Sequence, residues 1–315
     1  MATGRYIGWG DETTLGTAVA ATVYKDLITE TLVPNKNLTF LGDSRNRSAY
    51  RKISNAPIIQ GDINCALVPE PDADIFFYLL GTNTKTNPES GVYQHDLTPA
   101  DALTKSFTTR LGVEAFERVI AGCVVNQIRV DMIAKDPMLV WTASLLACSE
   151  AKATLGTATY SSLPEFKWHQ GTITYNGGAS TKVHAMQLRM NNNLNPDRMY
   201  AIKATDGDKF SRIDVGEMVV EGILDLYFSD STEYDLFLAE TEFAINAKFE
   251  GALCGATKKY TFEVDLPLCV HPTDTTPHIN RQTPFRINAP FKAMYKTASG
   301  YIVKVRFINM ESTCP

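Results

Sequence analysis

The chain has 315 residues, 44% of them hydrophobic and 21% charged, which is enough apolar material for one large domain or two of ordinary size. Its formal net charge of −5 is spread over both halves, which argues against a protein that grips nucleic acid through clustered Lys and Arg. No apolar run approaches the roughly 20 residues of a membrane span, the N-terminus carries no signal pattern, and the six cysteines form no CxxC pair, so the expectation is a reduced, soluble protein made in a cytoplasm.

Along the chain, "GWGDETTLG" (8–16) holds a G-x-G but no third glycine at the right offset and no preceding strand, so a dinucleotide loop is not expected. "GDSRNRSAYRK" (42–52) gathers Arg45, Arg47, Arg51 and Lys52 against Asp43 alone. Such a cluster reads either as a solvated loop or as a docking arm, since arginine suits partners that present carboxylates. "GDINCALVPEPDADIFFYLLGT" (61–82) starts as an alternating strand, breaks at Pro69 and Pro71, and becomes a short apolar helix over 72–80. Asp72 and Asp74 stand in its first turn and Gly81 at its C-terminal stop. A further short helix is expected near 114–120, "EAFERVI".

"VVNQIRVDM" puts Val124, Ile128, Val130 and Met132 on one strand face, with Asn126 the exception, and Val125, Gln127, Arg129 and Asp131 on the other. The stretch 149–165 is rich in Ser, Thr, Ala and Gly, and the division into domains 1–155 and 156–315 is placed there. Asn176-Gly177-Gly178 between two alternating runs predicts a hairpin, because Asn and Gly accept positive φ. A second unit, "GILDLYFSDSTEYDLFLAET" (222–241), predicts a strand and a helix over 232–240 with Ser231 or Thr232 as N-cap. "KYTFEVDLPL" sets Tyr260, Phe262, Val264, Leu266 and Leu268 against Thr261, Glu263 and Asp265, and "PFRINAPFKAMY" aligns Phe285, Ile287, Ala289, Phe291, Ala293 and Tyr295. The protein is mostly β.

Setting Gly61 on Gly222 brings Asp74 onto Asp235 and Phe76 onto Phe237 without a gap. Each copy is then followed by another alternating strand, "KSFTTRLGV" or "KYTFEVDLP". The expectation is a duplicated β domain whose single helix packs on a sheet.

The sequence carries no catalytic or metal signature. His95, His169, His184, His271 and His278 are scattered, and Cys254, Cys269, His271 and His278 match no usual zinc spacing. In "DGDKFSRIDVGE", Asp206, Asp208, Asp214 and Glu217 fall on calcium-loop positions, but Phe210 and Ser211 stand where an oxygen ligand and a glycine belong. There is no G-x-S-x-G, Walker A or HExxH. No enzyme activity, cofactor or metal is expected.

The order of "GWGDETTLGTAVA", "GDINCALVPEPDADIFFYLLGT", "YQHDLTPADALTKSFTTRLGV", "GCVVNQIRVDM", "GTITYNGGASTKVHAMQLRMNNNLNPDR", "GILDLYFSDSTEYDLFL" and "NAPFKAMY" resembles the tail tube (major tail) proteins of tailed bacteriophages. The resemblance implies tandem β-sandwich or barrel-like domains with flanking helices, subunits joined edge to edge into rings, and rings stacked into the hollow tail tube through which DNA leaves the virion. It also implies a tape-measure protein, a tail terminator and distal tail proteins as partners, with DNA passing through unbound. If each half is one tube domain, three chains form a pseudo-sixfold ring; six chains are the alternative. Arg45, Arg47, Arg51 and Lys52 are then the ring-to-ring candidates, and Asp131, Glu263 and Asp265 the candidates for lining the bore. The rival readings are a tail-completion or baseplate hub protein of related fold, and a carbohydrate-binding β-sandwich.

Overall fold

The computed structural model describes residues 4–42, 47–203, 205–273 and 286–315. The alternating stretches are strands. In the first half, Arg5–Asp11 pairs with Val23–Lys25 and with Phe107–Val113, which pairs with the start of the long strand Glu117–Ile133. That start also pairs with Ser149–Ala153. The end of the same long strand enters a second sheet, pairing with Val140–Ala147. Val140–Ala147 pairs with Ile58–Ala66, which carries Thr29–Glu30 and Val33–Asn35 on its far edge.

The second half repeats this order. Gly171–Tyr175 pairs with Gly178–Ala179 and Phe243–Leu253, the latter with Lys259–Val270, and that strand with Lys304–Asn309. Val183–Asn191 pairs with Val219–Tyr227, then comes Arg286–Ala293, and then the end of Lys259–Val270. The repeat extends to the register. Gly61 faces Leu145 as Gly222 faces Phe291, and Val124 faces Leu146 as Val270 faces Lys292. Asn35 faces Ile58 as Asn191 faces Val219. Phe107 faces Cys123 as Phe243 faces Cys269, and both ladders slip just after that pair. A one-residue slip in a strand turns its buried face to solvent, so matching registers keep matching faces inward.

Two joints weld the halves: Gln127–Ile133 pairs with Val183–Asn191, and Val92–Pro99 with Lys304–Asn309. One apolar cluster draws on both sides of residue 155, including Ile63, Phe76, Trp141, Leu188, Phe262 and Phe307. A smaller cluster forms around Val124, Leu146, Cys148, Met199 and Phe210. Two hairpins of the first half have no counterpart among the described residues of the second: Leu38–Leu41 with Arg51–Ser54, and Gly81–Glu89 with Val92–Pro99.

Helix α1 (Asp72–Leu80) is buried along its whole length and ends at Gly81 with φ 86, a left-handed turn that glycine takes without a Cβ penalty. Phe76 lies 5.7 Å from the Phe262 ring and 5.4 Å from Phe307, so α1 is held by the second half as well as its own. Lys25 donates to Asp72 and to the Ala66 carbonyl and stacks over Trp141, which pairs a buried cation with a buried anion. Helix α2 (Thr232–Leu238), aligned with α1 by the offset of Gly61 on Gly222, lies partly in solvent, with Leu238 61% exposed.

Some expectations are corrected. Residues 114–116 form a turn and Glu117 begins a strand, because Glu117 is buried against Tyr6 and Arg110. Asn126 breaks the alternation through a bulge between Val125 and Gln127, which turns Val125 into the main core and Val124 into the small one. Helix α2 stops at Leu238, short of residue 240. Leu268 is only half-buried, and Cys269 faces the core in its place after the slip in register. Tyr295, past the last strand residue Ala293, is 61% exposed, and Phe285 lies outside the described residues. By pairing, the strand of "KSFTTRLGV" corresponds to Phe243–Leu253, not to "KYTFEVDLP". Asn176 (φ 48) and Gly177 (φ 83) make the expected tight hairpin turn.

Candidate functional site

Arg51 and Lys52 of the basic stretch 42–52 lie on a two-stranded arm. Leu38–Leu41 and Arg51–Ser54 form a two-stranded sheet of their own, running on from Val33–Asn35 and into Ile58–Ala66. Leu41 pairs with Arg51 and Phe40 with Lys52, so the tip carries basic and apolar side chains together. Arg47, Arg51 and Lys52 are exposed, and Arg45 lies outside the described residues. Phe40 is 65% exposed and Ile53, on the opposite face, 43%. An isolated two-stranded hairpin is marginal in water, so a bare one with apolar residues on both faces is a surface in need of a partner.

Trp9, Asp11, Asp74, Tyr78 and Glu311 line a cleft of about 500 Å³. Burial, then the charges of Asp11 and Asp72, push the Asp74 carboxyl up to about 7, against the indole N–H of Trp9, which donates to its Oδ2 at 3.3 Å. Burial first, and the neighbouring Asp74, Glu70 and Asp72, push Glu311 up to about 8. Sequence reading saw Asp72 and Asp74 only as helix-start acids and gave Asp11 and Glu311 no role; their meeting depends on the return of the chain's last residues to α1.

The three bore candidates do not come together. Asp131 lies on the sheet that runs through the joint of the halves, where Arg129 Nε donates to its Oδ1 at 2.9 Å; on the same sheet Arg189 meets Gln127 and Glu221. Glu263 and Asp265 lie on Lys259–Val270 where it pairs with Lys304–Asn309, Glu263 bonded to Arg306 at 3.3 Å and Asp265 accepting from the Tyr301 hydroxyl at 2.6 Å.

The remaining polar candidates have structural neighbours. His271 bridges the Tyr175 hydroxyl and the Pro290 carbonyl, and burial lowers its pKa. Cys269 is buried in the core, and His278 lies outside the described residues. No group of three or more His, Cys, Asp or Glu among the described residues is arranged to hold a metal ion. Asp206 pairs with Lys209 and Asp214 with Arg198, while Phe210 is fully buried, so 206–217 is tied down by ion pairs and an apolar anchor.

A second cleft, of about 850 Å³, opens at the root of the arm between Pro34, Lys36, Phe116, Arg118, Glu150 and Lys152. Arg118 is held there by Glu150 at 2.7 Å and Glu30 at 3.3 Å, and Lys152 lies 4.5 Å over the Phe116 ring. No helix among the described residues is long and apolar enough to cross a membrane.

No curated protein matches this sequence. A family model described as phage tail tube protein matches residues 3–293, nearly the whole chain. That family is structural and its members are parts of the virion tail. The chain belongs to the phage tail tube protein family.

Proposed function

We propose that this chain is the major tail tube subunit, and that three copies close into a ring of six similar domains, 1–155 and 156–315 from each chain. One observation carries the reading. The end of the long strand in the first half pairs in-chain with Val183–Asn191 of the second. The counterpart of Val183–Asn191 in the first half is Thr29–Glu30 with Val33–Asn35, and among the described pairings these bond only to Ile58–Ala66. An unpaired strand edge is a template for another chain. Repeating the in-chain joint between chains adds the second half of one copy to the first half of the next, and a head-to-tail contact of this kind makes a ring where its rotation closes.

The sheet that passes through every such joint carries Asp131, and its polar face is our choice for the bore. Arg129, Arg189, Asp131 and Glu221 balance one another there, which suits a wall that DNA slides along without sticking. Glu263 and Asp265, on the part of Lys259–Val270 that pairs with Lys304–Asn309 and outside that joint, are then assigned away from the bore. Stacking of rings falls to the arm, whose exposed Arg47, Arg51 and Lys52 suit a partner surface that presents carboxylates. Tube length set by a tape-measure protein, a terminator and distal tail proteins at the ends, and assembly from subunits made in the host cytoplasm follow from the same reading. A carbohydrate-binding sandwich has little support, because Trp9 and Trp141 are buried and only Trp168 is exposed.

Negative-stain electron microscopy of the concentrated protein tests the proposal. Tubes whose rings contain three chains are expected; rings of six whole chains refute the trimer, and a monomer at every concentration refutes the tube. Charge reversal at Arg45, Arg47 and Arg51 should leave rings but stop tube growth, and normal tubes from that variant exclude the arm's role.

A further inference from the structure

The repeat of the fold gives each α1 contact a counterpart address. By register, Phe116–Cys123 corresponds to Phe262–Cys269, and Pro34 and Asn35 to Met190 and Asn191, which puts Lys36 at the place of Asn192. By the alignment of the two helices, Phe76 corresponds to Phe237 and Leu79 to Glu240. Within one chain, α1 of the first half is seated on the second: Phe76 packs on Phe262, Met190 is buried in the same core, and Asn192 Nδ2 donates to the Leu79 carbonyl at 2.7 Å.

The same seat exists in the first half and holds no helix there. Phe116, Pro34 and Lys36, the counterparts of Phe262, Met190 and Asn192, all line the 850 Å³ cleft at the root of the arm. Helix α2 has the complementary deficit. Its Leu236 and Phe237 are only half-buried and Leu238 is 61% exposed, whereas every residue of α1 is buried. One copy therefore carries a seat without a helix and a helix that packs Leu236 on its own core but leaves Leu238 uncovered.

We infer that the cleft formed by Phe116, Pro34, Lys36 and Lys152 receives helix α2 of a second copy of this chain, with Phe237 against Phe116. The charges agree on balance: Asp235 and Glu240 are exposed on and just after α2, and the cleft is lined by Lys36, Arg118 and Lys152 against Glu150 and Asp208. Lys36, at the place of Asn192, lies where the helix's last carbonyls arrive, the end that a cation stabilises. The burial is apolar at its centre and charged at its rim, as specific contacts between proteins are. This inference rests on the head-to-tail ring proposed above and adds the side-chain contact that locks it.

The test uses two full-length single variants, Phe237→Cys and Phe116→Cys, mixed at concentrations where electron microscopy shows rings or tubes, then treated with a short bismaleimide. The mixture should yield a covalent dimer on a denaturing gel, at least tenfold above either variant alone and above the wild-type chain, whose own Cys254 and Cys314 are partly exposed. Rings without that dimer overturn the seat while leaving the ring intact. Absence of rings from the wild-type chain at any concentration overturns the ring and the seat with it. A second variant, Leu238→Asp, should unfold at the wild-type temperature as a monomer and need at least tenfold more protein to assemble. Unchanged assembly of this variant also overturns the seat.

Discussion

Replacing Phe76 with Ala asks whether the halves stand or fall together. Phe76 is fully buried, at the centre of α1, and its ring meets Phe262 and Phe307 of the second half. Removing a buried Phe forfeits about 1.5–3 kcal/mol of transfer free energy, and the residual cavity raises the typical total to about 3–5 kcal/mol. The upper part of that range is expected, because two aromatic contacts go as well, each worth about 0.5–1.5 kcal/mol. Urea unfolding followed by fluorescence reads the change, since Trp9 and Trp141 are buried in the native fold. One transition should move as a whole, because strand pairing at 127–133 with 183–191 and at 92–99 with 304–309 leaves neither half a boundary at which to unfold alone. Two transitions, of which only the first-half one moves, would refute the reasoning, and so would a loss below about 1 kcal/mol.

Lys25→Met should cost about 3–5 kcal/mol by stranding the buried Asp72 carboxylate, and adding Asp72→Asn should recover part of it; equal stability of single and double variants in urea would show that the pair does not act as a unit. Asp74 is raised from 3.8 to about 7, so between those values the folded state holds a proton that the unfolded chain has released. Stability from this group is complete below about pH 4 and is lost as pH rises through about 7. Asp74→Asn, which keeps a carbonyl oxygen for the Trp9 indole, should therefore raise the melting temperature at pH 8 and not at pH 4. The ceiling is about 4 kcal/mol for three pH units at 1.36 kcal/mol each, and water entering the cleft should reduce it to about 1–2 kcal/mol; a melting curve with unchanged pH dependence contradicts the assignment.

Short-range physics made much of this protein legible in its sequence. The side-chain period of two marked the strands, Asn176-Gly177 marked a hairpin, and acids before an apolar run with Gly81 after it bounded α1 to the residue. Gly61 aligned on Gly222 gave the offset at which Ile58–Ala66 matches Val219–Tyr227. These signals survive because backbone preference and amphipathic period act over a few neighbours. Tertiary structure alone decided the rest. Glu117 reads as part of a helix until its carboxylate is seen to take bonds from Arg110, across the adjoining hairpin, and from Tyr6, which is distant along the chain. The acidic cleft arises because Glu311 returns to α1, and Asp131 parts from Glu263 because their strands take different partners, Val183–Asn191 for one and Lys304–Asn309 for the other. Most telling, α1 and α2 look alike as sequence and differ in burial, since what covers a helix is chain that folds back from elsewhere, and no local pattern encodes its arrival.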